Sequence, residues 1–149
     1  MLKKLMCHRV LKLMMITTVS LSLAACGSFF SNNVHHVSVE MRSARYLNPN
    51  IQGRPSPLVV TFYQLKSPFA FKQASYAALS KNAGAVLGQQ LIDQQLSEVR
   101  PNSLKKTRLL LSPNIAYIGI VAAYRNLNQA HWRAVVKVNP KINSLLKVS

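Results

Sequence analysis

Cys26 is the residue whose chemical type and surroundings are the most informative in this chain. The chain has two cysteines and only three carboxylates, which are Glu40, Asp93 and Glu98. The other cysteine, Cys7, lies near the start of the chain, so the sequence after Cys26 has no second thiol for an internal disulfide. The stability of that region must therefore come from packing.

The histidines and carboxylates do not follow a recognisable catalytic or metal-binding pattern. His35 and His36 are adjacent, and His131 is distant in sequence; adjacent imidazoles without a nearby third ligand make a poor metal site. No nucleophile-elbow glycines and no metal-ligand spacings occur. We therefore expect no enzyme activity, no cofactor, no metal and no small-molecule substrate. A Ser-His-acid site assembled by folding is the enzyme alternative that the sequence leaves open.

The first 25 residues have the layout of an export signal. The first twelve contain four basic side chains and no acid: Lys3, Lys4, Arg9 and Lys12. An apolar or small stretch follows up to Ala25, which is the order found in signal peptides. A membrane-spanning helix needs about 20 consecutive apolar residues, and this stretch is shorter and contains Thr and Ser. The sequence predicts a signal peptide over residues 1–25 and not a permanent transmembrane helix.

The signal ends in Leu23-Ala24-Ala25-Cys26, which resembles the lipobox of bacterial lipoproteins. The resemblance implies cleavage before Cys26 and attachment of a diacylglycerol to its thiol, which would hold the chain on a bilayer. Because residue 27 is Gly and not Asp, it also implies sorting to the outer membrane, facing the periplasm. Residues 26–36 would form the lipidated N-terminus and a tether, in which ten residues span at most about 35 Å. The alternative is an ordinary signal peptide followed by an incidental cysteine.

The charge of the remaining chain is strongly positive. Of 19 Lys and Arg residues the signal removes four, and with three acids this leaves 15 − 3 = +12 over 149 − 25 = 124 residues. This length fits one domain, residues 37–149. The excess favours an acidic protein surface or anionic lipid as a partner. Nucleic acid is not expected, because export separates the chain from it and no binding motif is present. A solvated basic surface without a ligand is the alternative.

The residues after the tether alternate between strand and loop patterns. Val37, Val39 and Met41 alternate with polar residues, as in a half-buried strand. Asn, Pro and Gly then interrupt regular structure over residues 46–57. Leu58–Leu65 is rich in β-branched and aromatic residues and apolar on both faces, which predicts a strand inside a sheet.

One helical region and further strands follow. A helix is predicted after Ser67-Pro68, ending at Asn82 and Gly84, and residues 85–96 are compatible with helix, strand or a mixture. A turn is predicted at residues 100–103. Four more strands are predicted, at 106–111, 115–124, 132–138 and 142–148. Successive strands with one helical insertion favour a β-sandwich.

Three stretches of the chain, taken in order after the lipobox, form a combination that can be compared with known families. They are Leu58-Val-Val-Thr-Phe-Tyr-Gln-Leu-Lys-Ser67, the segment 71–79 with Ala74 and Tyr76, and Tyr117-Ile-Gly-Ile-Val-Ala-Ala-Tyr-Arg125 leading to Trp132-Arg133. Together they resemble the outer-membrane lipoprotein family of the type VI secretion system, usually called TssJ. The resemblance implies a mainly β fold, a transthyretin-like two-sheet β-sandwich with a short helical insertion.

The resemblance also implies a tether and not an enzyme. Family members bind the periplasmic C-terminal domain of the large inner-membrane secretion protein, a TssM-like partner, and link it to the outer membrane through their lipid. In the family the loop between the first two strands takes part in this contact, which here is residues 46–57. We therefore expect five residues to contribute to binding: Tyr46, Leu47, Asn48, Ile51 and Arg54.

Two alternatives to this assignment remain at the sequence level. For the loop, the alternative is a solvated connector that binds nothing. For the whole protein, the alternative is a generic periplasm-facing lipoprotein that binds anionic surfaces of the cell envelope through its basic charge. Such binding would fall steeply with salt, because exposed charges more than about 10 Å apart are screened near 0.1 M.

Several residues in the same stretches are expected to determine the fold. Three aromatic residues are expected in the core: Tyr63, Tyr124 and Trp132. Gly119, within its strand, is expected to allow the close approach of a neighbouring group. Arg125 and Arg133 are expected to pair with one of the three carboxylates.

Overall fold

The computed structural model describes residues 35–139 and 144–148, which contain seven strands and two α-helices. The expected signal peptide, Cys26 and the tether up to residue 34 lie outside these ranges. The strands are β1 (His36–Arg42), β2 (Leu58–Leu65), β3 (Leu91–Val99), β4 (Leu104–Leu110), β5 (Tyr117–Ala122), β6 (Arg133–Lys137) and β7 (Ser144–Val148). The helices are α1 (Phe69–Gln73) and α2 (Tyr76–Leu87), and a short 3-10 helix (Gly88–Gln90) follows α2.

The strands form two sheets, which confirms the predicted two-sheet β fold with a helical insertion. The three-stranded sheet has the order β4-β1-β7, and the four-stranded sheet has the order β3-β2-β5-β6. In the smaller sheet the central strand β1 is antiparallel to β4 and parallel to β7. In the larger sheet β2 is antiparallel to both β3 and β5. The apolar character of both faces of β2 fits this internal position.

Apolar side chains from both sheets form the core between them. On β1, Val37, Val39 and Met41 point inward and are only 1–2% exposed, since successive side chains of a strand point to opposite faces. The same cluster contains residues of the other strands and of the loops between them: Leu47, Leu58, Val60, Phe62, Val99, Leu109, Leu111, Ile115, Ile118 and Ile120. This inter-sheet core is what sets the spacing and the orientation of the loops that leave the strands.

The two helices cover the outer face of the four-stranded sheet and create a second core. Its buried members are Tyr63, Leu65, Phe71, Leu79, Ala83, Leu87 and Val121. Phe71 lies directly over Gly119, where a Cβ atom would be 2.6 Å from Cζ of the Phe71 ring. The predicted close approach at Gly119 is therefore confirmed. Burial raises the pKa of the Tyr63 phenol, and its hydroxyl donates a hydrogen bond of 3.4 Å to the carbonyl of Leu79.

The three aromatic residues expected in the core differ in burial. Tyr63 is 3% exposed and belongs to the second core. Tyr124 and Trp132 are half-buried and pack against the margins, Tyr124 on the inter-sheet core and Trp132 on the second core. Trp132 also makes an edge-on contact with Tyr76 of α2, with ring centres 5.5 Å apart.

The helical region consists of two helices, whereas the sequence predicted one. Ala74 has extended backbone angles, φ −66° and ψ 143°, and ends α1. Ser75 then begins α2, because its Oγ accepts a hydrogen bond of 3.2 Å from the amide of Ala78. Serine is one of the preferred residues at this capping position, since its oxygen satisfies an amide in the first turn.

The predicted break of the helix at Asn82 is present, but the predicted end at Gly84 was wrong. Asn82 does leave the helical conformation, with φ −155° and ψ 71°, but its Oδ1 accepts a hydrogen bond of 3.1 Å from the amide of Ala85. The side chain thus caps the next turn, as Asn does at helix starts. The helix therefore kinks at Asn82 and continues through Gly84 to Leu87.

The strand directions place the connecting segments at two ends of the sandwich. β1 starts at His36, directly after the predicted tether, and we call this the tether end. The opposite end, called the loop end, carries the β1–β2, β3–β4 and β5–β6 connections: residues 43–57, 100–103 and 123–132. Seven residues of β1 separate the two ends by about 23 Å.

Residues Val34–Ser149 form one compact unit by their contacts. Both clusters of buried side chains are drawn entirely from this unit. In the part of the chain that the structure describes, no helix combines the length and apolar character needed to cross a membrane.

Candidate functional site

The tip of the β1–β2 loop is ordered by the side chain of Asn50. Its Oδ1 accepts hydrogen bonds from the backbone amides of Gln52 and Arg54, at 3.0 and 2.9 Å. Backbone bonds of 2.9 Å from Gly53 to Asn50 and from Asn50 to Arg54 complete the turn, and Gly53 has a left-handed φ of 69°. Asn is common in such turns because its short side chain can bond to the backbone just ahead of it. The tip therefore has a defined shape although it is exposed.

Ser43 holds the start of the loop to the β3–β4 turn. Its Oγ donates to the carbonyl of Arg100 at 2.6 Å and accepts from the amide of Ser103 at 2.9 Å. The backbones also bond directly, from Ser43 to the carbonyl of Ser103 at 3.0 Å and from Asn102 to the carbonyl of Ala44 at 3.1 Å. The two connections are therefore fastened side by side.

Asn48 holds the middle of the loop to the β5–β6 connection. Its Nδ2 donates to the carbonyl of Pro57 at 3.0 Å, and its Oδ1 accepts from the amide of Arg125 at 2.9 Å. Asn48 is 8% exposed and has a left-handed φ of 45°, a conformation that Asn adopts more readily than most residues. With Ser43, it joins three connections into one unit, which we call the loop cluster: residues 43–57, 100–103 and 123–132.

The five loop residues predicted to contact a partner fall into two groups. Tyr46 and Ile51 are 71% and 96% exposed, and Arg54 is exposed beside them in sequence. Leu47 is only 9% exposed and belongs to the inter-sheet core, and Asn48 is equally buried. The expectation that Leu47 and Asn48 offer contact surface is therefore corrected: their side chains fix the loop, and a partner can reach the other three.

The loop cluster is basic throughout. It exposes four guanidinium groups and contains no Asp or Glu; the basic residues are Arg45, Arg54, Arg100 and Arg125. They come from three connections that are far apart in the chain, so no sequence pattern groups them and only folding brings them to one end. A fixed surface of one charge sign attracts a surface of the opposite sign and speeds its association.

An apolar cleft of about 440 Å³ adjoins the loop cluster between the two sheets. Leu47, Met41 and Ile120 contribute to its walls, and Arg42 and Lys147 are among its polar lining residues. The edge strands β6 and β7 both contribute residues to its lining. These two edges are not joined by a further strand in the described part of the chain.

Arg125 and Arg133 form no ion pair within residues 35–139 and 144–148, contrary to the expectation. Arg133 instead donates from Nη1 to the carbonyls of Phe71 and Ala74, at 3.0 and 2.7 Å. Its guanidinium carbon lies 4.8 Å from the centre of the Trp132 ring. The predicted ion pair of Arg133 was wrong for a physical reason. The last carbonyls of a helix have no hydrogen-bond partners within the helix, and here they accept hydrogen bonds from Arg133 instead.

Cys26, the predicted site of lipid attachment, lies outside the described residues. Over residues 35–139 and 144–148, no three His, Cys, Asp or Glu side chains are grouped as they would be around a metal ion. What the described part offers at the loop end is a firmly held basic surface from which two large apolar side chains, Tyr46 and Ile51, project.

Comparison with known families adds the decisive observation. Residues 35–149 match the family T6SS-SciN, described as “Type VI secretion lipoprotein, VasD, EvfM, TssJ”. The chain belongs to the type VI secretion lipoprotein family. The match includes the whole sandwich and the loop cluster, so the resemblance found in the sequence is confirmed.

Solved structures of type VI secretion proteins are similar to this chain. TssJ1 from Pseudomonas aeruginosa is 35% identical, with a TM-score of 0.72 over 76% of this chain and 87% of that chain. Lip from Serratia marcescens, a membrane-bound component of the type VI secretion system, is 23% identical, with a TM-score of 0.68 over 76% and 93% of the two chains. A chain of a type VI membrane complex is 25% identical, with a TM-score of 0.67 over 78% and 93%. A comparison with curated proteins found no match.

Proposed function

We propose that this type VI secretion lipoprotein is anchored in the outer membrane by lipid on Cys26. We propose further that its loop cluster binds the periplasmic C-terminal domain of the large inner-membrane secretion protein, a TssM-like partner. The protein then acts as a tether that joins the two membranes. The observation that carries the proposal is the loop cluster itself, which is held by Ser43 and Asn48, lacks acids and exposes Tyr46 and Ile51.

The position of the loop cluster supports a bridging role. β1 follows the predicted tether directly, and the loop cluster lies at the other end of β1. A lipid attached ahead of His36 therefore does not obstruct the loop end. A surface at the tether end would be less accessible to a partner that arrives from the inner membrane.

The family and one structural relative also support this function. Members of the family are type VI secretion lipoproteins. A chain with the same fold and 25% identity is part of a type VI membrane complex. Membership of a membrane complex requires a protein-binding surface, and the loop cluster has the features of one.

The loop cluster predicts the kind of surface that it binds. Aromatic and arginine side chains are enriched among the residues that dominate binding energy, and Tyr46 and Arg54 are of these types. Little entropy is lost when they bind, because hydrogen bonds already fix the backbone that carries them. The partner surface should therefore combine acidic residues with an apolar patch that receives Tyr46 and Ile51.

Substitution of the exposed apolar residues tests the proposal. A soluble fragment beginning at Gly27 contains the compact unit Val34–Ser149 and is expected to bind the periplasmic C-terminal domain from the same genome at one saturable site. The double variant Tyr46→Ala/Ile51→Ala should raise Kd by about tenfold or more. Titration calorimetry at low and physiological salt measures this.

Phe69→Ala is the matched control. Phe69 is exposed to 73%, nearly the same as Tyr46, but lies in α1, which follows the tether end of β2 and is outside the loop cluster, so its loss should leave Kd unchanged. If Phe69→Ala raises Kd as much as the double variant does, or if a folded fragment does not bind the partner domain, the proposed interface is wrong. Binding that disappears at physiological salt would instead favour the generic lipoprotein that holds anionic surfaces through charge alone.

A further inference from the structure

Among the described residues, 35–139 and 144–148, no helix covers the outer face of the three-stranded sheet, whereas the two helices cover the outer face of the other sheet. Successive side chains of a strand point to opposite faces of the sheet. Because Val37, Val39 and Met41 point into the core, the side chains that alternate with them lie on the outer face. The registers of β4 and β7 against β1 then place four cations on the outside, all of them exposed: Arg42, Lys106, Arg108 and Lys147. We call this surface the basic face.

The basic face carries a large excess of positive charge. Within the described strands β1, β4 and β7, its only acid is Glu40, so its formal charge is 4 − 1 = +3. Glu40 pairs with Lys106 at 3.5 Å and is opposite Lys147 in the register. Lys106 nevertheless remains 74% exposed at its side chain, so its charge still reaches solvent.

Three leucines accompany the cations on this face. Leu104 and Leu110 lie at the two ends of β4 and Leu145 lies on β7, and they are 50%, 59% and 60% exposed. Exposed apolar side chains among lysines and arginines are the composition by which proteins adhere to bilayer surfaces. The cations meet lipid phosphates while the apolar side chains enter the boundary between headgroups and acyl chains.

We propose that the basic face lies on an anionic lipid surface, namely the leaflet that holds the lipid on Cys26. The inference rests on the lipid anchor in the proposed function. It adds a second attachment that the anchor does not require.

The length of chain ahead of β1 favours a membrane as the occupant. Eight residues, 27–34, separate the lipidated cysteine from the first described residue, and this stretch of chain spans at most about 30 Å. They contain no acid and lead directly into β1, the central strand of the basic face. A short tether keeps the face at a high local concentration near the leaflet, so even weak contacts are populated.

Vesicle binding by the unlipidated fragment that begins at Gly27 tests the inference. The fragment should cosediment with vesicles of phosphatidylglycerol and phosphatidylethanolamine in a 1:3 ratio, should not cosediment with phosphatidylcholine, and should be released at high salt. The variant Arg42→Gln/Arg108→Gln should lower the partition coefficient by about tenfold or more, since each basic residue near an anionic surface contributes to binding.

The control removes the same charge from a different surface. Lys72→Gln/Lys81→Gln changes two exposed lysines of the helical layer and should lower partitioning by less than about threefold. Equal losses in the two variants, or no binding to anionic vesicles by a folded fragment, would overturn the proposal. So would binding of the basic face to a soluble acidic protein without binding to vesicles. Melting curves of each variant verify the fold.

The two proposals fail separately. Arg42→Gln/Arg108→Gln should retain the affinity of the fragment for the TssM-like domain in solution, because neither residue belongs to the loop cluster. Loss of vesicle binding with intact partner binding therefore concerns the basic face alone. Intact vesicle binding with no partner binding would refute only the proposed function.

Discussion

Asn48 and Asn102 have the same side chain and nearly the same backbone conformation but different surroundings. Both have a left-handed φ, 45° and 52°. Asn48 is buried and joins Pro57 to Arg125 through both ends of its amide. Asn102 is exposed in the β3–β4 turn, and among the described residues its side chain makes no hydrogen bond. A comparison of the same substitution at Asn48 and at Asn102 therefore distinguishes the energetic cost of the left-handed backbone from that of the lost hydrogen bonds.

Asn48→Ala should lower the free energy of unfolding by about 2–4 kcal/mol. It removes two hydrogen bonds, leaves a carbonyl and an amide without partners, and places Ala in a left-handed conformation. Asn102→Ala should cost only the conformational part, about 1 kcal/mol. Urea denaturation of the fragment beginning at Gly27 measures both. Equal costs would show that the hydrogen bonds of Asn48 contribute little.

The sequence predicts the position of the loop but not which of its residues are buried and which are exposed. The breakers over residues 46–57 locate the loop correctly, since Asn, Pro and Gly disfavour regular structure wherever they occur. Burial of Leu47 and Asn48 depends on contacts with distant segments, and Arg125 is 77 residues away from Asn48. No local pattern contains that information. The same holds for the grouping of the basic residues of the loop cluster.

Among the secondary-structure elements, α1 depends on a residue outside itself. It has only five residues and no side-chain cap at its start, and so short a helix is not stable by itself. Phe71 anchors it in the second core, and Arg133 of β6 binds the carbonyls of Phe71 and Ala74. The edge strand of the larger sheet thus fixes the helix that covers it.

Arg133→Ala should lower the free energy of unfolding by about 2–4 kcal/mol, because charge-assisted hydrogen bonds and a contact with the Trp132 ring are lost. Arg133→Lys should recover only part of this, since an ammonium can donate to the two carbonyls but lacks the planar guanidinium that lies over the Trp132 ring. Arg125→Ala is the control and should change stability by less than about 0.5 kcal/mol, because its exposed side chain is not bonded among the described residues. Hydrogen exchange should speed up in α1 only for the Arg133 variants. Uniform exchange across the variants would contradict this role.

The strands other than β3 were easier to predict than the helices for a physical reason, whereas β3 (Leu91–Val99) begins in a stretch, residues 85–96, that was compatible with helix, strand or a mixture. β2 has the predicted bounds, Leu58–Leu65. A strand that is buried on both faces is apolar along its whole length, so its own sequence indicates that it lies inside a sheet. The helical region is interrupted at Ala74 and at Asn82, and each interruption is stabilised by a local cap, from Ser75 or from Asn82 itself. Ser and Asn act as caps or as helix residues according to context, so the pattern alone left the breaks undetermined.

At the scale of the whole molecule, positive charge dominates. After removal of the predicted signal the chain retains 15 − 3 = +12, and the basic residues occupy both the loop cluster and the basic face. Like charges at this density repel one another and oppose the compact state. The excess therefore has a cost in stability that a binding function on two surfaces would explain.

The melting temperature of the fragment beginning at Gly27 should rise by about 2–6 °C between about 10 mM and about 150 mM sodium chloride. The Debye length falls from about 30 Å to about 8 Å over this range, which screens repulsion between separated cations. Sodium sulfate at equal ionic strength distinguishes screening from specific anion binding. A melting temperature that falls or stays constant with salt would show that self-repulsion is unimportant.

The central position of β1 in its sheet has a mechanical consequence for a protein that is held at both ends. Under the proposed anchoring, tension enters β1 at His36 from the tether and leaves at Arg42 toward the loop cluster, so the force runs along the strand. β1 is hydrogen-bonded to β4 on one side and to β7 on the other, and these bonds run across the direction of pull. Such a strand yields only by shearing many bonds together and not by unzipping them one at a time. β1 is the shortest connection between the lipid anchor and the loop cluster. Because it is bonded to a strand on each side, it resists a force that pulls these two attachments apart.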